Sequence, residues 1–153
     1  MIEKKLINDG SLSPSQICEI TDHIGLKVKV YFIHDMPNID SLPNGNYIIL
    51  ITPNKNIYSG HYVCMKIFNS RDITNEIGES RTIAYFDSYG MPPPKKISST
   101  KSSIVYNTDQ IQSLSMNHCG QFCIGFLKSV NLAKSIKSFI KKANNYTSNF
   151  MKL

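Results

Sequence analysis

The chain has 153 residues, 41% of them hydrophobic, which suits one domain with a buried core and excludes a disordered or fibrous chain. No run approaches the ~20 apolar residues of a membrane span, and residues 1–10 carry no apolar core of the signal-peptide kind. The formal charge is +6, but residues 95–153 alone hold nine lysines against one acid, Asp109, leaving the first 94 residues slightly acidic.

In chain order, residues 1–10 read as a flexible N-terminus. Ser13-Pro14-Ser15-Gln16 then reads as a helix start. Ser13 suits the N-cap, Pro14 the first helical position, and Gln16 the return half of a capping box. Ile17, Ile20 and Ile24 make the apolar stripe, and Gly25 stands where the helix should end. Cys18 on this helix reads as a packing residue and His23 as a surface one. Lys27 to Ile33 alternates in the manner of a strand with one wet face, ended by His34-Asp35-Met36-Pro37, with His34 an ordinary loop residue. After turn residues Leu42 to Gly45, the apolar run Tyr47–Thr52 suits a strand buried on both faces.

Two further strands are expected over 61–68 and 81–88, joined by a polar loop as an antiparallel pair. With Phe68 facing Ser80, His61 falls opposite Asp87, and opposed residues hold their Cβ atoms roughly 5 Å apart on one face. A slip of one residue would send the two to opposite faces. Met91-Pro92-Pro93-Pro94 breaks the sheet, residues 95–103 read as a flexible loop, and Ile104-Val105-Tyr106 as a short strand. From Cys119 onward, Phe122, Phe126, Val130, Ala133, Ile136 and Ile140 keep near-helical spacing, so residues 131–153 are expected as a basic helical segment.

The stretch from Gln112 to Phe126 carries the chemistry. It passes from polar residues into an apolar helix, with Cys119 and Gly120 at the junction. A thiol at a helix N-terminus sits beside unpaired backbone N–H groups and the positive end of the dipole, which favours the thiolate. Gly120 would let a backbone or a substrate approach. The four cysteines (Cys18, Cys64, Cys119, Cys123) show neither a disulfide framework nor zinc spacing, so a reducing compartment and no metal are expected. Cys119, His61 and Asp87 are the parts of a nucleophile, base and orienting-acid triad. Gln112, seven residues before Cys119, is positioned to supply an oxyanion donor. His118 adjoins the thiol but is awkwardly placed for in-line proton transfer. Each part also has a plainer reading: a buried small hydrophobe for the cysteine, a solvated strand start for the histidine, a turn former for the aspartate.

Gly60-His61, Tyr85-Phe86-Asp87-Ser88-Tyr89-Gly90, Gln112 and Cys119-Gly120-Gln121-Phe122-Cys123 together resemble the adenovirus protease (adenain) family. That family lies within a wider group that includes the SUMO-processing proteases and enzymes of large DNA viruses, virophages and Polinton-type elements. The order His, acid, Gln, Cys is the family's, and the resemblance covers residues 11–130. It implies an α+β, papain-like arrangement with the cysteine helix packed on a mixed β-sheet between flanking helices. It further implies Cys119 as nucleophile, His61 as base, Asp87 as orienting acid and Gln112 as oxyanion donor. The implied role is a thiol endopeptidase that cleaves viral capsid and other structural precursor proteins, working in infected cells and packaged in the virion.

Three departures stand out. Tyr62 occupies the place of the family's usual tryptophan, His118 that of the aspartate of the SUMO-processing branch, and residues 101–110 lack the cysteine through which adenain takes its peptide activator. No cofactor is required on this reading, and DNA or a viral peptide is left as an activator. Lys134, Lys137 and Lys141 would line one helix side, either as a solvated face or as a non-specific DNA contact. The alternatives are a deubiquitinase or SUMO isopeptidase with the same triad, and a basic nucleic-acid-binding module whose cysteines are incidental.

Overall fold

The computed structural model describes residues 11–54, 60–70, 80–112, 118–130 and 150–152, with backbone alone for 70, 80 and 150–152. The first helix of the described residues, α1, spans Pro14–His23. Its capping box forms as the sequence requires: Ser13 Oγ accepts the Gln16 N–H at 3.2 Å and Gln16 Oε1 accepts the Ser13 N–H at 2.7 Å. Ile17 and Ile20 are buried, while Cys18 faces solvent and is not a packing residue. Strand β1, Lys29–Phe32, is shorter than its alternation suggests because Ile33–Asp35 tightens into a 3-10 turn. A second such turn, Ile39–Ser41, precedes β2, Gly45–Ile51.

Strands β3, His61–Ser70, and β4, Ser80–Phe86, form the expected antiparallel pair. Their register differs from the sequence expectation: Phe68 faces Thr82, not Ser80, and Cys64 faces Phe86. The shift is two residues, so every side chain keeps its face. Residues 95–103 are not all loop. Lys95–Ser98 makes one helical turn, α2, and Ser103–Asn107 forms β5, parallel to β4. Buried Ile97 anchors that turn. The catalytic-candidate helix α3 spans Cys119–Ser129. Phe150–Lys152 forms β6, antiparallel to β5. The basic segment therefore ends as a strand, where the edge of β5 offers free backbone groups, and not as helix. Lys134, Lys137 and Lys141 lie outside the described residues.

The six strands of the described residues form one mixed sheet in the order β1-β2-β3-β4-β5-β6, with β1/β2 and β4/β5 parallel and the other neighbours antiparallel. The architecture is α+β. Alternation along the strands divides the core in two. Ile48, Leu50, Tyr62, Cys64, Ala84, Phe86 and Val105 face α1 and α3. Tyr47, Ile49, Val63, Met65, Ile83, Tyr85 and Ile104 face the 3-10 turns and α2. The β1-to-β2 connection is pinned to the sheet by Arg81, whose guanidinium donates to the carbonyls of Ile39 and Leu42 at 3.1 and 2.8 Å. Two rings seat α3 on the sheet: Phe126 stacks on Phe86 with centroids 4.4 Å apart, both fully buried.

Deleting one of these rings leaves a cavity that the close-packed sheet cannot collapse. Phe126→Ala is expected to cost about 3–5 kcal/mol in urea unfolding, whereas Cys18→Ala, at an exposed position, should stay within about 0.5 kcal/mol.

Candidate active site

The site lies at the end of the sheet where β3 begins and β4 stops. Pairing between them starts only at Cys64–Phe86, so His61, Tyr62 and Val63 overhang the end of β4. On the other side His61 still pairs with Ile51. Gly60 is required just before it, because a Cβ there would lie 2.0 Å from the Ile51 carbonyl oxygen. In the overhang the Tyr62 N–H has no β4 carbonyl to meet, and it reaches the Cys119 Sγ at 3.4 Å. Cys119 is the first residue of α3, so its sulfur also lies beside the helix's free N–H groups.

Asp87 follows β4 directly and is 3% exposed. Its Oδ1 accepts from His61 Nε2 at 2.6 Å and from the Tyr89 N–H at 2.8 Å. The shortness of the first contact is that of a charge-assisted bond. Asn107, fully buried on β5, clamps the Asp87 backbone from both sides. Its Oδ1 accepts the Asp87 N–H at 2.9 Å, and its Nδ2 donates to the Asp87 carbonyl at 2.6 Å. The Gly90 N–H closes the turn on the same carbonyl at 2.9 Å. Gly90 has φ +73°, and a Cβ there would come within 2.8 Å of the Asp109 backbone, so this turn admits only glycine.

His61 and Cys119 act on each other. Burial pulls the imidazole pKa down, but Asp87 and the Cys119 thiol outweigh it and raise the group to about 9. Burial pushes the Cys119 thiol up, yet its interaction with His61 and the N–H groups of Tyr62 and Gly120 bring it below the ordinary thiol value. Nδ1 of His61, the ring nitrogen that Asp87 does not engage, is buried and makes no hydrogen bond of full geometry among the described residues. It is the atom left to exchange a proton with sulfur. The ring of Tyr89 stacks on His61 at 4.3 Å and 22°.

Gln112 is almost wholly buried. Its Oε1 accepts from the Ser88 hydroxyl at 2.6 Å, and its Nε2 lies 3.5 Å from the Tyr89 hydroxyl. His61 thus engages both Asp87 and Cys119, and Gln112 joins them through the neighbours of Asp87. Gly120 is buried, and its closest contacts are Ile17 and Tyr62, so the approach it permits is that of the protein's own core. Tyr62 is itself buried, its hydroxyl donating to the Leu12 carbonyl at 2.9 Å. The roles of Ser88, Tyr89, Asn107 and the Tyr62 N–H are not visible as sequence patterns. The only advance signal is the Asp-Ser-Tyr-Gly string, which reads as a turn after a strand.

Among the described residues no group of three His, Cys, Asp or Glu gathers to hold a metal ion. No described helix is long and apolar enough to cross a membrane. Compared with known proteins, the chain matches no family model, no curated protein and no solved structure.

The coupling has a direct chemical consequence. Iodoacetamide should alkylate Cys119 at pH values below those an ordinary free thiol needs, read by mass mapping of the labelled cysteine. In His61→Ala a hydrogen bond and a positive charge are gone, and burial is opposed only by the Tyr62 and Gly120 N–H groups, so the Cys119 profile should move to higher pH. An unchanged profile would mean that the imidazole does not activate the sulfur.

Proposed function

We propose that the chain is a cysteine endopeptidase of the adenain-like kind, in which Cys119, His61 and Asp87 form the catalytic triad and Gln112 serves the oxyanion. One observation carries this reading: a thiol at a helix start is held against an imidazole that a buried aspartate grips at 2.6 Å. The α+β arrangement, with the cysteine helix seated on a mixed sheet that presents the other two groups, agrees with a papain-like layout.

In this mechanism His61 takes the thiol proton through Nδ1, and Asp87 steadies the resulting imidazolium through Nε2. The thiolate attacks the scissile carbonyl carbon, and the C=O π pair moves onto oxygen. Gln112 Nε2 and the Cys119 N–H stabilise that oxyanion. As the C–N bond breaks, the His61 proton passes to the departing amine, leaving an acyl thioester on Cys119. His61, now neutral, takes a proton from water, and the hydroxide attacks the thioester carbonyl. Collapse breaks the C–S bond, releases the carboxylic product and restores the thiolate–imidazolium pair.

The substrates we propose are capsid and other structural precursor proteins of a DNA virus or related element, cut in infected cells and in assembling particles. The motif order His61, Asp87, Gln112, Cys119 and its seven-residue Gln-to-Cys step support this choice. The test is incubation with capsid proteins encoded beside this gene, with product termini read by mass spectrometry and a fluorogenic ubiquitin-like substrate run in parallel. Cutting of the capsid proteins alone is expected, and cutting of the ubiquitin-like substrate alone would turn the reading to an isopeptidase. Cys119→Ala should abolish cleavage while leaving the fold intact; persistent cutting by this variant would end the proposal. Gln112→Ala should lower kcat about 10²–10³-fold, the usual loss for one oxyanion donor.

A further inference from the structure

We infer that Ser88 is a positioning residue for the oxyanion donor, so that one turn, Asp87-Ser88-Tyr89, sets both the base and the oxyanion side of the site. This rests on the thiol-peptidase reading above and deepens it. A glutamine amide is nearly symmetric in shape but opposite in polarity at its two ends. Rotation by half a turn about its last torsion would present Oε1 to a developing oxyanion and repel it. Something must therefore hold the amide one way round. Ser88 is fully buried, and its hydroxyl donates to Gln112 Oε1 at 2.6 Å. A hydroxyl held there engages the oxygen and directs Nε2 to the other side, where the Tyr89 hydroxyl lies at 3.5 Å.

The backbone makes the same connection. The Ser88 carbonyl accepts the N–H groups of both Ile111 and Gln112, at 2.9 and 3.0 Å. The residue that follows the orienting aspartate thus fixes where the glutamine enters the site and which way its amide faces. Asp87 and Tyr89 on either side hold the imidazole, by a hydrogen bond and by stacking. Ser88 itself touches neither His61 nor Cys119 in any contact found among the described residues, so its loss should leave the ion pair alone. That separation makes its role measurable.

The experiment uses the full chain in wild-type, Ser88→Ala, Ser88→Cys and Gln112→Ala forms. Each is assayed with a fluorogenic peptide from the capsid cleavage site, with the matching peptide aldehyde, and with iodoacetamide. The aldehyde forms a hemithioacetal that uses the oxyanion donor, whereas alkylation by iodoacetamide does not. Ser88→Ala should lower kcat about 10-fold, as expected for one hydrogen bond to a buried partner, with KM little changed. It should weaken aldehyde binding by a similar factor and leave the pH profile of Cys119 alkylation where it was. Combined with Gln112→Ala it should add almost nothing, because the serine has then lost what it positions. Ser88→Cys, nearly the same size with a weaker donor, should fall between and keeps the test open if the alanine variant folds poorly. Equal loss in the Gln112→Ala background, or a shifted alkylation profile, would overturn the inference and leave the triad standing. A wild-type chain that neither cleaves the peptide nor binds the aldehyde would remove the peptidase reading and this inference with it.

Discussion

β3 runs three residues past the point where β4 ends, and that mismatch of strand ends makes the site. Inside a sheet the N–H of Tyr62 would be bonded to a neighbouring strand, and no sulfur could compete for it. At the overhang it is freed, and α3, seated on the same face by the Phe86–Phe126 stack, delivers Cys119 to it. The residue before Tyr62 is the imidazole, and the residue after the truncated strand is the carboxylate. Because neighbouring antiparallel strands begin and end at common sheet margins, all three groups arrive at one place without any long loop to carry them.

Burial opposes both charges of the thiol–imidazole pair. It lowers the imidazole's affinity for its proton and raises the thiol's, and in both groups it is the largest single influence. The balance is reversed only because each group supplies what the other lacks, with Asp87 and backbone N–H groups added at the two ends. Such a mutual arrangement is cooperative and unforgiving of displacement. The rigidity required comes from below: Asn107 bonds both backbone groups of Asp87, Gly90 closes the turn, and Tyr89 covers the imidazole face. A site built at a sheet margin, on strand ends and a helix start, inherits the precision of those elements.

Much of this was legible from residue order. The capping box at Ser13, the double-faced burial of β2 and the pairing of β3 with β4 follow from local chemistry and periodicity. The pairing register did not, yet the error was two residues, and a period of two forgives that. Thus His61 and Asp87 remained on a common face although they are not directly opposed. The one-turn α2 was missed because four residues carry no periodicity, and β6 because an edge strand answers to the free groups of its neighbour, not to its own pattern.

The sequence by itself determined which chemical groups were present and at which ends of which elements they stood: a thiol opening a helix, an imidazole opening a strand, a carboxylate closing the next. Local propensity and alternation suffice for that, since they act over a few residues. Only the tertiary structure decided that these ends coincide, that the Tyr62 N–H is free for sulfur, and that Ser88 and Asn107 stand behind Gln112 and Asp87. Those facts depend on where one strand stops relative to another and on hydrogen bonds between residues 20 and more positions apart. No short-range pattern encodes such distances.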